Sequence, residues 1–323
     1  MLTAQDLHGV MGMMPAFATA NGADIDATST IDLDNLGDGV NRMIGDGIDV
    51  IATAGSFGEF HTLLWDEWEA LARATAEVVN RRVPLFIGCT ALNSREAVKR
   101  MRVASEVGAY GVLVGVPFYF PSTVDNAVRF YHDIAERFPN LGIMIYHNPP
   151  LHNIEIPVDA FRHITQSPNV VAMKDSHRSP EEFSELQGIV RGKMTVFVNQ
   201  MQIARYSELG ANAFWSIDSW MGPWPLLRLR DAVRAGDKET AEGITKELAG
   251  PGGGERGAGG PPNLSWRETA SKIAQQYAGY VNPGPLRPPF VELPADVVEK
   301  AKQRAAYWNE LCAKYRAPAA AAV

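Results

Sequence analysis

The chain has 323 residues, 46% of them hydrophobic and 21% charged, with a formal net charge of −7. This is enough chain and apolar content for one large domain or two small ones with a sizeable core. The acidic balance excludes a nucleic-acid binder, which carries a basic face or stripe. No apolar run approaches membrane-spanning length, and the opening "MLTAQDLHGV" lacks the basic-then-apolar build of a signal peptide. Two cysteines, Cys89 and Cys312, are expected as reduced thiols of a cytoplasmic protein.

Short apolar runs alternate with longer amphipathic stretches. In chain order the runs are "GVMGMMPAF" (9–17), "DVIATAGS" (49–56), "PLFIGC" (84–89), "GVLVGVP" (111–117), "GIMIYHNP" (142–149), "NVVAMKD" (169–175), "MTVFVN" (194–199) and "NAFWSID" (212–218). Each is nearly all apolar, as expected of parallel strands covered on both faces. Between them lie helical patterns such as "WDEWEALARATAEVVN", "SREAVKRMRVASEVG" and "TVDNAVRFYHDIAERF", several opening on Ser, Thr or Asp and closing on Gly. Eight such units over residues 1–235 predict a (β/α)8 TIM barrel. An open doubly wound sheet is the competing fold, but G-x-G-x-x-G is absent after the first strand.

Residues 236–323 are expected to form a C-terminal helical extension packed on the barrel as one unit. "GPGGGERGAGGPP" (250–262) lacks the G-K-[ST] ending of a phosphate loop and reads as a flexible surface loop. After it, "WRETASKIAQQYAGY" and "ADVVEKAKQRAAYWNELCAKY" read as helices joined by "NPGPLRPPF", and the tail "APAAAAV" is expected to fray.

In such barrels chemistry sits at the carboxyl ends of the strands. Lys174 ends the sixth run, aimed at the barrel mouth, where desolvation favours the neutral amine that attacks a ketone. The competing role is a buried ion pair with Asp175 or Glu59. Tyr146 ends the neighbouring fifth run and is placed to move a proton; alternatively it is a core tyrosine with a satisfied hydroxyl. "GSFG" (55–58) offers a hydroxyl and successive backbone N–H groups suited to a carboxylate, or simply a tight turn. The histidines at 61, 147, 152, 163 and 177 lack metal-ligand spacing, so no metal is expected, and 147 and 152 read as surface or pocket-polar groups.

"GSFGE" (55–59), the Y-x-N-P of 146–149 and the lysine of "VVAMKDS" resemble the dihydrodipicolinate synthase / N-acetylneuraminate lyase superfamily of class I aldolases, over roughly residues 8–315. "GSFGEFHTLLWDEW", "TALNSREAV", "VGVPFYF", "FYHDIAERFP", "FWS" and "GPLRPPF" resemble its hydratase-aldolases of aromatic degradation. Those enzymes act on trans-o-hydroxybenzylidenepyruvate and trans-2'-carboxybenzalpyruvate, releasing an aromatic aldehyde and pyruvate.

The resemblance implies a Schiff base on Lys174 without other cofactor, Tyr146 as acid/base, and Ser56 with the Ser56–Phe57 backbone on the pyruvyl carboxylate. It also implies Asn148 lining the site, Trp215 against the aromatic ring, and a homo-oligomer, tetramer or dimer, in which Tyr119 belongs to a neighbouring subunit's site. Phe57 stands where synthases of the superfamily carry a second hydroxyl for their proton relay, which weakens a synthase reading. His147, His152, Asn199, Gln200 and Asp218 depart from the pattern near the expected position of the ring substituent. A C-terminal asparagine of the family has only Asn263 or Asn282 as counterparts.

Two other functions stay open on the residues alone. One is a lyase or dehydratase of a sugar-derived 2-keto acid, against which the bulk of Phe57, Phe214 and Trp215 argues. The other is a non-catalytic keto-acid binder, which would need neither Lys174 nor Tyr146.

Overall fold

Eight parallel strands close into a barrel in the computed structural model, which describes residues 3–175, 177–250 and 264–316. The strands are β1 (Gly9–Met13), β2 (Val50–Thr53), β3 (Leu85–Gly88), β4 (Gly111–Val114), β5 (Gly142–Tyr146), β6 (Val170–Lys174), β7 (Thr195–Asn199) and β8 (Ala213–Ser216). They pair in sequence order, and β1 closes on β8 with Gly9 opposite Ala213. Every strand residue is buried, the physical reason these runs lack polar alternation. Each strand is shorter than the apolar run that announced it, and for all but β7, which ends with its run at Asn199, the last residues of the run turn into the loop at the barrel mouth.

Alternation along the strands splits the core in two. One set, including Met11, Val50, Ala52, Phe86, Leu113, Met144, Ala172, Phe197 and Ala213, fills the barrel interior. The other packs outward against the helices. The helices begin where side chains accept the first orphan amides. Asn93 caps Ser94–Glu106, Thr123 caps Val124–Arg137, and Ser179 caps Pro180–Val190 with proline at its first position. "PVDAFRHITQ" and "QIARYSELG" are shorter than a full helix, each giving one α turn beside a 3-10 turn.

The last barrel helix, Trp224–Ala235, is followed by helices Lys238–Leu248, Leu264–Ala278 and Ala295–Tyr315. Side chains tie these to the loop after β8. Gln275 Nε2 donates to the Ile217 carbonyl at 2.9 Å, Trp308 Nε1 to the Gly222 carbonyl at 3.0 Å, and Arg304 pairs with Asp218. The segment "GPLRPPF" returns to the mouth of the barrel, where Arg287 donates to the carbonyls of Ala16 (2.9 Å), Phe17 (3.1 Å) and Thr30 (2.8 Å). Among the described residues no helix is long and apolar enough to cross a membrane. Ser176, Asn263, residues 251–262 of the glycine-rich stretch and the "APAAAAV" tail lie outside the described residues.

Candidate active site

The ends of β5 and β6 are in register, Tyr146 opposite Lys174. Both residues are buried, and both side chains face the mouth of the barrel interior. The Lys174 Nζ lies 3.6 Å from the Trp215 ring centroid and 4.7 Å from that of Tyr146. Trp215 is itself oriented by its Nε1–H, which donates to the Asp175 carbonyl at 3.2 Å. The indole therefore forms a wall beside the amine, between β6 and β8.

The Tyr146 hydroxyl donates to Ser56 Oγ at 3.0 Å and accepts from Asn148 Nδ2 at 3.4 Å. Burial raises the pKa of this phenol, against the opposing pull of the Ser56 hydrogen bond, so it is held protonated. Three of the residues singled out from sequence, Ser56, Tyr146 and Asn148, thus share one hydroxyl network beside Lys174. Phe57 packs in the same interior cluster.

The turn that presents Ser56 is bracketed by two non-glycine residues in the left-handed region, Ala54 (φ 49°) and Glu59 (φ 53°). Such conformations cost roughly 1–3 kcal/mol each and persist only where the surroundings enforce them. Gly88 shows one such constraint: a Cβ there would lie 2.1 Å from the Ala54 carbonyl oxygen. The close approach of β3 to the turn needs a glycine at that position.

Asp175 and Glu59, the two carboxylates offered by the sequence as ion-pair partners for Lys174, are engaged elsewhere. Asp175 meets His147 Nδ1 at 3.1 Å and Arg178 Nε at 2.9 Å. Burial alone raises its pKa, but the His147 hydrogen bond and the Arg178 guanidinium outweigh that and hold it at about 2. Glu59 Oε2 accepts from Lys272 Nζ at 2.6 Å and Arg287 at 2.8 Å.

Other sequence candidates are placed differently. His147 lies in a buried network outside the cavity: its Nε2 accepts the Ile156 amide at 3.2 Å, so Nδ1 carries the proton that meets Asp175. Asn199 folds onto its own turn, Oδ1 accepting the Met201 amide at 2.9 Å. Asn282 likewise accepts the Gly284 amide, at 3.2 Å. Tyr119 is 73% exposed at a loop tip, edge-on to Phe120. Gln200 and Asp218 bond to one another at 2.7 Å behind β8.

Beside the Ser56–Phe57 turn lies a cavity of about 250 Å³, whose lining does not include Lys174, Tyr146 or Trp215. Ser56, Phe57, Phe60, Phe118, Leu286 and Phe290 line it, with Glu59, His61, Leu151 and His152. The C-terminal helix Leu264–Ala278 closes one wall with Glu268, Thr269 and Lys272. Sequence reading missed this wall; it named His152 as a surface or pocket-polar group, and His152 lines the cavity. The His152 Nδ1–H donates to the Tyr146 carbonyl at 3.0 Å and its ring stands edge-on to the Tyr146 ring at 5.0 Å. Burial lowers its pKa to about 4, so it packs as a neutral ring. A Cβ on Gly115 would sit 2.3 Å from that ring, so the ring position depends on a glycine immediately after β4. Among the described residues no three His, Cys, Asp or Glu side chains group as a metal site.

The comparisons with known proteins agree with this geometry. The model of the dihydrodipicolinate synthetase family matches residues 11–251. A trans-O-hydroxybenzylidenepyruvate hydratase-aldolase of Pseudomonas aeruginosa is 31% identical, over 97% of this chain and 96% of its own. A trans-2'-carboxybenzalpyruvate hydratase-aldolase of Nocardioides sp. (strain KP7) is 26% identical over 97% of this chain and 96% of its own. The solved structure of PhdJ bound to a substrate intermediate superposes with a TM-score of 0.91 at 31% identity, covering 97% of this chain and 99% of that one. With its closed barrel, strand-six lysine and C-terminal helices, the chain belongs to the dihydrodipicolinate synthetase family.

Proposed function

We propose that this protein is a Schiff-base hydratase-aldolase that converts an arylidene pyruvate and water into an aromatic aldehyde and pyruvate. The observation that carries the reading is Lys174 held against Trp215 and Tyr146, with the Tyr146 hydroxyl on Ser56, which also lines an aromatic cavity. Its hydratase-aldolase relatives, full-length matches, are named for substrates of that class.

The Lys174 amine attacks the C2 ketone, and loss of water leaves an iminium conjugated with the aryl-bearing double bond. Ser56 and the backbone beside Phe57 hold the pyruvyl carboxylate. The iminium makes the benzylic carbon electrophilic, and water adds there. Tyr146 delivers a proton to C3 and then, as tyrosinate, takes the proton of the new hydroxyl. The C3–C4 bond breaks, the aldehyde leaves, and the electron pair rests in the enamine. Protonation and hydrolysis release pyruvate and free the amine. The covalent electron sink serves without a further cofactor. Phe57, Phe60, Phe118 and Phe290 give an aryl group apolar contact, whereas a polyol chain would need many hydrogen-bonding partners.

The enzyme is placed in the cytoplasm, where Cys89 and Cys312 stay as the buried thiols they are in the structure. Tyr119 and Phe120, exposed side by side, suit contact with a second copy of the chain in a homo-oligomer.

Incubation with pyruvate and borohydride, followed by peptide mapping, is expected to show a mass increase on Lys174. Absence of the adduct rejects the Schiff-base reading. A panel of arylidene pyruvates and 2-keto-3-deoxy sugar acids then reads the substrate class by aldehyde and pyruvate release. Turnover of the sugar acids alone rejects the aromatic assignment. Sedimentation of the protein and of Tyr119→Ala reads the assembly, and a monomer with full turnover removes the oligomer.

A further inference from the structure

Forming the Schiff base changes the charge at one atom. The neutral amine of Lys174 gives up one proton as it replaces the ketone oxygen, which leaves as water with that proton and a second drawn from solvent. Nζ thereby becomes an iminium cation among buried residues, where an uncompensated charge is costly. The cation disappears each time an electron pair enters the enamine and returns each time a carbon is protonated. A group that favours it has to sit against Nζ itself.

Trp215 occupies that position. Nζ lies over the face of the indole, 3.6 Å from its centroid, inside the range of about 6 Å over which a ring quadrupole attracts a cation. Lys174 is 5% exposed and Trp215 9%, so little water screens the contact. The indole is held from two sides. Its backbone pairs with Met11 of β1 and Asn199 of β7, and its Nε1–H donates to the Asp175 carbonyl at 3.2 Å. Tyr146 presents a second ring at 4.7 Å. The sequence resemblance put Trp215 against the substrate's aromatic ring, yet the aromatic cavity beside Ser56–Phe57 is lined without it.

We propose that Trp215 is a catalytic residue that holds the Schiff base as its iminium, through the π face turned to Lys174 Nζ. The inference rests on the Schiff-base reading above and is independent of which aryl group the substrate carries. The protonated nitrogen is the form that draws the electron pair of the C3–C4 bond, so favouring it keeps the electron sink available. Indole is the aromatic side chain best suited to this contact.

The test preserves the shape of the side chain and its N–H bond and changes the charge of the ring. Mono-, di- and trifluorotryptophan are placed at position 215 alone, the other six of the seven tryptophans staying as they are. Each fluorine draws electron density from the face. The probe is pyruvate, which has no aryl group, and borohydride reports the iminium on Lys174. The same face attracts an ammonium, so the series is read in alkaline solution, where free amines are increasingly neutral. The pyruvate concentration for half-maximal trapping is expected to rise stepwise, reaching about 10-fold with trifluorotryptophan, the scale of a desolvated cation–π contact. The kcat/KM for benzylidenepyruvate is expected to fall in the same order. Ring-methylated tryptophan, bulkier but richer in electrons, is expected to trap pyruvate as well as the unsubstituted protein. Trp215→Leu removes the face and is expected to show the largest loss, with its urea midpoint separating a lost fold from a lost contact. A flat fluorine series, equal losses with fluorine and methyl, or an effect confined to benzylidenepyruvate overturns the proposal, and the last of these leaves Trp215 a packing role. Absence of trapping in the unsubstituted protein would instead reject the Schiff-base reading.

Discussion

The site has a floor and a wall, built by different means. The floor consists of strand ends: Tyr146 and Lys174 are register partners on adjacent strands, and Trp215 comes from β8. The wall consists of residues far away in sequence. Lys272 meets Glu59 across 213 positions, and Arg287 meets Thr30 across 257. A barrel strand fixes its terminal side chain through hydrogen bonds to both neighbours, so the floor is rigid and suits covalent chemistry, where small misplacements are costly. The wall is held by charge pairs and side-chain bonds from the C-terminal extension, so it shapes the volume above the floor.

That contrast can be broken experimentally, beginning at the floor. Lys174→Ala is expected to lower turnover by more than about 10⁴-fold, the scale of removing a covalent nucleophile, in a steady-state assay of pyruvate release. Tyr146→Phe removes the hydroxyl proposed to carry the proton but leaves the amine. It is expected to slow release by about 10²–10⁴-fold while borohydride still traps pyruvate on Lys174, and normal turnover would refute its role.

At the wall the expected losses are in stability. Glu59→Gln leaves Lys272 and Arg287, each with a side chain only 2% exposed, without their shared carboxylate. Breaking a buried pair in this way costs about 3–5 kcal/mol, readable by urea unfolding. An unchanged midpoint would show that the wall does not depend on this charge cluster.

Asp175, behind the floor, adds a pH dependence. Its folded pKa of about 2 lies below the ordinary 3.8, so the folded state binds this proton less readily than the unfolded chain. Its stabilising contribution is complete above about pH 4 and is lost as pH falls through about 2. Acid unfolding of Asp175→Asn should lack that part of the slope. The smallest effect is expected from Asn199→Ala, which removes the bond to the Met201 amide for about 1 kcal/mol and leaves imine trapping intact.

Legibility in the sequence followed the same division. Lys174 and Tyr146 could be read because each is a polar residue ending an apolar run on the side that fills the barrel interior. Asn199, ending β7, shows that this position alone does not fix where a side chain goes. Ser56 could be read from its glycine-flanked turn, and the structure joins it to Tyr146. His147 was expected at the pocket, but strand alternation turns it outward, toward Asp175 and Ile156. Asn199 was expected there too, yet its side chain serves its own turn. Glu268, Thr269 and Lys272 left no local trace, since a helix with mixed polarity reads the same whether it faces water or a cavity.

By itself the sequence determined the eight strands, their parallel order and the lysine–tyrosine floor. Burial on both faces and the period of the helices are local properties that the order of apolar and polar residues expresses. Only tertiary structure decided what stands above that floor. The return of Leu264–Ala278 and "GPLRPPF" to the barrel mouth depends on contacts spanning more than two hundred residues. No short-range pattern encodes which polar side chain such a closure turns toward the substrate.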